Sequence, residues 1–106
     1  MTFDTFARLL RQRLTNLGYK IMVSEFCDLF YIENYYDAIN LFKIDYNGSY
    51  FQYAASPKDN FWTPIYHYTF PNLKELYVLA KKYSIDAKEK KIKNKLNELE
   101  KDFQDG

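Results

Sequence analysis

Cysteine, histidine and glycine are all scarce in this sequence, and each scarcity removes a class of explanation. Cys27 is the single cysteine, so no disulfide can close within the chain and nothing calls for an oxidising compartment. His67 is the single histidine, which leaves no second imidazole for a zinc site of the common type. Gly18, Gly48 and Gly106 stand far apart, so there is no glycine-rich loop to cradle a phosphate. Long apolar runs are missing as well. None approaches the roughly 18 residues of a membrane span, and Met1 is followed by Thr2, Phe3 and Asp4, not by a basic segment leading into an apolar one. The expectation is a cytoplasmic protein that does not enter membranes.

What is abundant is aromatic. Of the 106 residues 47% are hydrophobic and 20% aromatic, far from the depleted composition of disordered segments, and the length suits one core. The net charge of +1 conceals an uneven distribution: residues 1 to 23 sum to +3, residues 24 to 66 to −4, and the remainder to +2. An acidic central segment is flanked by basic ones.

Phe3, Phe6, Ala7, Leu10, Leu14 and Leu17 recur at steps of three and four and predict a helix, with Thr2 as N-cap and Gly18 just past its end. Arg8, Arg11 and Thr15 fall on its opposite side. From Tyr19 to Phe70, where 16 of the 21 aromatics lie, helical spacing gives way to β-branched and aromatic residues. Strands are expected at about 19 to 24, 27 to 33, 38 to 46, 50 to 55 and 64 to 70, the first two readable as one bent strand. Asn47-Gly48 predicts a type I′ hairpin turn in which Ile44 opposes Phe51 and Phe42 opposes Tyr53. That register puts Phe42, Ile44, Phe51 and Tyr53 on one face. Lys43, Asp45, Tyr50 and Gln52 go to the other, whose one apolar pair is Leu41 with Ala54.

After Pro71, Asn72 with Glu75 forms a capping-box-like start to a helix bearing Leu73, Leu76, Tyr77, Ala80 and Tyr83. The rest is one kinked helix or a second helix after a break near Ser84. The fold class expected is therefore α+β: an N-terminal helix, an antiparallel meander of four to five strands, and a C-terminal helix or helix pair on one sheet face. Residues 1–83 form the domain, and 84–106 a charged helix that belongs to it or serves as a dimerisation or tail element. Ile92, Leu96, Leu99 and Phe103 make a narrow apolar seam there that suits a homodimer.

Catalytic constellations are thin. Cys27 is flanked by Glu25 and Asp28, which oppose thiolate formation, and His67 reads as an ordinary sheet residue. The carboxylates at Glu25, Asp28, Glu33, Asp37 and Asp45 are spread along the central segment, and they read as a solvated face and not as the convergent acids of a metal-dependent nuclease. Neither a cofactor nor a metal is expected, and the chain is read as non-enzymatic.

Eleven tyrosines exceed what a small core needs, because each buried hydroxyl requires a partner, and tyrosine is enriched at protein interfaces. The expected partner-binding surface is an acidic, tyrosine-bearing sheet edge with Asp28, Tyr35, Tyr36, Asp37, Asp45 and Tyr50. The alternative is nucleic-acid binding through Arg8, Arg11, Lys88, Lys91 and Lys95. Twelve Lys against three Arg, with eight Asn, fit AT-rich coding. In general character the chain resembles phage or mobile-element accessory proteins, some of which inhibit host defence, anti-CRISPR proteins among them. No motif carries that resemblance. It implies a binding protein that inhibits a host nucleic-acid enzyme.

Overall fold

The first apolar stripe becomes helix α1, Phe3–Asn16, in the computed structural model, which describes residues 1–35, 40–56 and 62–104, the side chains of 94 and 97–104 excepted. Thr2 caps its start, its hydroxyl accepting the Thr5 N–H at 3.2 Å. At the other end the Tyr19 N–H bonds to the Leu14 carbonyl and the Gly18 N–H to that of Thr15, a closure that requires a left-handed residue. Gly18 supplies it with φ 91°.

The chain then builds a five-stranded antiparallel sheet in the order β1 (Lys20–Val23), β2 (Cys27–Tyr31), β3 (Asn40–Asp45), β4 (Tyr50–Ala54) and β5 (Trp62–Ile65). Sequence neighbours are sheet neighbours throughout, so this is the meander expected. Helix α2, Phe70–Gln104, follows. The architecture is α+β with two helices.

The strands expected at about 19 to 24 and 27 to 33 are separate, as β1 and β2, and pair as a hairpin, so the one-bent-strand alternative falls away. No glycine or proline marks that turn because Ser24 makes it: its N–H donates to the Cys27 carbonyl and its hydroxyl accepts the Cys27 N–H. The second hairpin keeps the expected register, Phe42 opposite Tyr53 and Ile44 opposite Phe51, but not the expected turn. The ladder closes at Asp45 opposite Tyr50, one pair early, and positive φ falls on Ser49 (53°), not on Asn47 or Gly48. The Asp45 carboxylate decides this by accepting the Gly48 N–H at 2.8 Å. A Cβ at Gly48 would meet the Tyr50 ring, so a larger residue there requires that ring to move.

The last strand stops at Ile65 and does not run to Phe70. Thr69 takes the capping role expected of Asn72, its hydroxyl accepting the Asn72 N–H at 3.3 Å and its carbonyl the Leu73 N–H at 3.0 Å. Of the two alternatives for the C-terminal region the chain takes the single helix: α2 has 35 residues, is about 52 Å long and has no break at Ser84. The Ser84 hydroxyl donates to the Leu17 carbonyl at 2.9 Å, so it closes the end of α1 and leaves its own helix intact.

Strand alternation gives the sheet two different faces. Phe30, Phe42, Ile44 and Phe51 point inward, each 1% exposed or less, against Phe6, Leu10 and Leu14 of α1 and Leu73, Leu76, Ala80 and Tyr83 of α2. Each such aromatic or aliphatic side chain contributes roughly 1.5–3 kcal/mol by burial. Tyr53 joins them half-buried, while Lys43, Asp45, Tyr50 and Gln52 lie on the outer face as expected. Leu41 and Ala54, expected to form an outer pair, are both buried. Leu41 is the extra residue of a β-bulge opposite Phe30 and Tyr31, which lets consecutive Leu41 and Phe42 both enter the core.

Candidate interaction surface

The residues expected to bind a partner are scattered by this fold. Asp28 lies on the inner face opposite Ile44 and is 3% exposed. Its carboxylate accepts hydrogen bonds from the Arg11 guanidinium and the Tyr46 hydroxyl, tying α1 and the β3–β4 loop to β2. The Asp28 bond raises the Arg11 pKa, and burial first, then the same carboxylate, pushes the Tyr46 phenol up to about 12. Asp28 is therefore an internal anion beneath a helix and not part of an acidic rim, and Arg11 is not a free cation for nucleic acid.

Tyr35 is likewise buried, at 3% exposure, its hydroxyl donating to Asp86 on α2 at 2.6 Å. Tyr36 and Asp37 lie outside the described residues. Asp45 and Tyr50 do sit on the outer face. Asp45 is engaged by the Gly48 N–H and by Lys43, whose ammonium is 3.8 Å away, and the Tyr50 ring stacks 5.6 Å from Tyr66. Of the four expected contact residues that are described, Asp45 and Tyr50 share an accessible surface.

The surplus of tyrosine has an internal explanation that composition does not reveal. Five tyrosine hydroxyls bridge separate parts of the chain: Tyr19 donates to the Ala80 carbonyl at 2.8 Å, Tyr83 to that of Ala54 at 2.7 Å, Tyr68 to that of Ser49, Tyr35 to Asp86 and Tyr46 to Asp28. Each is a large apolar body with one satisfied polar end, used as a fastener between elements. Burial raises the pKa of Tyr19 and of Tyr83.

What remains accessible is the outer sheet face, where neither helix packs. Met22, Leu29, Tyr31, Tyr50, Trp62 and Pro64 lie on it, and the exposed Tyr66 ring adjoins Tyr50. Its charges are mixed: Lys20 faces Glu33 at 3.7 Å and Lys43 faces Asp45. The edge strand β1 is more unusual, because all four of its residues are exposed, Ile21, Met22 and Val23 among them, with Phe26 at the following turn. The sequence carried a signal for this: Ile21-Met22-Val23 is apolar on both sides, and the first strand of a meander is necessarily an edge.

Lys88, Lys91 and Lys95 fall together on α2, as their spacing predicts, and line one groove with Lys20, Glu33, Asn34 and the Leu17-Gly18 turn. Arg8 is exposed on α1. Ile92 and Leu96 are also exposed, while the side chains of Leu99 and Phe103 lie outside the described residues. Cys27 is on the outer face with its sulfur 3.0 Å from the Ser24 hydroxyl. His67 is exposed beyond β5, three strand spacings or roughly 14 Å across the sheet, and its carbonyl accepts from the Asn72 side chain at 2.9 Å. Among the described residues no three metal-ligating side chains converge, and no helix is long and apolar enough to cross a membrane. Comparisons with models of protein families, with curated proteins and with solved structures found no significant match.

Proposed function

We propose that this chain is a non-enzymatic protein-binding module whose docking surface is the outer face of its sheet. The observation that carries the reading is the outer sheet face left open by both helices, where Met22, Leu29 and Tyr31 on one side and Tyr50, Trp62 and Tyr66 on the other flank Lys43, Asp45 and Gln52. Aromatic and methionine side chains at such a patch bury large area at small entropic cost, the usual make-up of interface centres. With Asp28 internal and Asp45 paired, the acidic rim contributes less than composition implies. The partner therefore needs an apolar patch more than a basic one. Inhibition of a nucleic-acid enzyme, in a phage or mobile-element setting, is the form of this role that the sequence character favours.

The test is affinity capture from host extract with wild-type protein, Leu29→Arg and Tyr50→Ala. Retained proteins should be lost from both variants while each keeps the wild-type circular dichroism spectrum and a cooperative melt. Capture that survives Leu29→Arg and Tyr50→Ala but fails in Asp45→Lys would overturn the apolar surface in favour of recognition by charge.

A second reading has its own observation, the groove lined by Lys88, Lys91 and Lys95 together with Lys20 and its ion-pair partner Glu33. Such a cluster suits a polyanion. A labelled oligonucleotide should bind at low salt and be released when the three α2 lysines are changed to Gln; no binding at low salt removes this reading.

A further inference from the structure

The two edges of the sheet are unequal. β5 carries Pro64, which has no N–H to offer a new strand, whereas β1 has no proline, no bulge and no charge at its last three positions, Ile21 to Val23. Hydrogen-bond parity fixes which of its groups are free. The Ser24 N–H bonds to the Cys27 carbonyl across the first hairpin, and the Tyr46 N–H bonds to the Phe26 carbonyl on the far side of β2. Antiparallel bonding alternates, so Met22 and Lys20 bond inward to Leu29 and Tyr31, and the N–H and C=O groups of Ile21 and Val23 point away from the sheet. Their side chains are exposed too, at 42% and 70%.

We infer that β1 pairs antiparallel with β1 of a second copy of this chain, joining two sheets into one of ten strands. This rests on neither reading above. A two-fold axis perpendicular to the sheet keeps each residue on its own face, and the register that uses every free group sets Ile21 opposite Val23 of the other copy. Four backbone hydrogen bonds close. Two Ile21 and two Val23 side chains meet on the helix side, and Met22 meets Met22 on the outer side. The strand is also self-complementary in charge: Lys20 at one end comes beside Ser24 and Glu25 at the other end of its mate. A second copy fits this edge better than an arbitrary peptide, because apolar pattern, bonding parity and charge order all satisfy the two-fold at one register.

Sedimentation velocity of the full chain should show a monomer converting to a dimer as concentration rises. Val23→Lys puts two ammonium groups into the seam at a position that is exposed in the monomer; it should abolish the dimer with an unchanged circular dichroism spectrum. Register is tested by oxidation in a Cys27→Ser background. Met22→Cys places the two sulfurs in a non-hydrogen-bonded pair with Cα atoms roughly 4.5 Å apart, within disulfide range, and should give a covalent dimer. Ile21→Cys faces Val23 and should not. A monomer at every concentration, a dimer that survives Val23→Lys, or cross-linking of Ile21→Cys as readily as Met22→Cys would each overturn the pairing.

Discussion

Asp28 and Asp45 are both strand aspartates, on β2 and β3, and one residue separates their fates: Asp28 lies on the inner face and Asp45 on the outer. The inner one is 3% exposed and held by Arg11 and Tyr46 from two other elements; the outer one is held by its own turn and by Lys43 two residues away. The difference teaches that acidity counted along a chain says little about an acidic surface. A carboxylate under a helix is a structural tie, and it leaves the partner-facing charge to whatever remains outside.

The contrast between faces can be pressed hardest at neighbouring residues. Phe30→Ala should lower stability by about 3–5 kcal/mol in urea unfolding, because Phe30 is wholly buried. Leu29→Ala, half-buried on the outer face, should cost about 1 kcal/mol, and equal losses would break the two-face description.

The aspartates come next. Asp28→Asn should cost about 2–3 kcal/mol, since it removes the ion pair with Arg11 and weakens the bond to Tyr46 at a buried site. Asp45→Asn keeps an oxygen for the Gly48 N–H and should cost less than about 1 kcal/mol.

Alkaline pH sharpens the inner site further. The Tyr46 phenol is harder to ionise in the fold than in the unfolded chain, so its contribution is complete below the ordinary phenol value. It is lost as pH rises from about 10 to about 12. Denaturation midpoints of Tyr46→Phe should fall less steeply than wild type across that window and run parallel to it at neutral pH. The smallest effect belongs to the outer face: Gly48→Ala displaces the Tyr50 ring from Tyr66, with a loss of a few tenths of a kcal/mol because an exposed ring can move.

These sites also mark where sequence reading succeeds and where it stops. The β3–β4 register was legible because a one-residue slip would have mixed Phe42, Ile44 and Phe51 with Lys43 and Gln52, a conflict visible without coordinates. The turn type was not, because it depends on where one carboxylate finds an N–H. Asp28 was misplaced for a related reason. A charge at an inward position contradicts alternation unless its partner is known, and Arg11 is 17 residues away in the chain. Ser84 resembled a helix interruption in one dimension, yet its hydroxyl serves the end of a different helix. The tyrosines pointed outward by count, and only their hydroxyl partners show how many act within the molecule.

Adjacency of successive strands has a kinetic consequence. Each ladder closes a short loop, so hairpins can form locally and early, whereas the Ser84 bond to Leu17 and the Met1 ammonium bond to the Tyr68 carbonyl each span 67 residues. The clasp between α1 and α2 should therefore assemble last and open first. Amide exchange should find the centre of the sheet protected after the helix ends have begun to exchange.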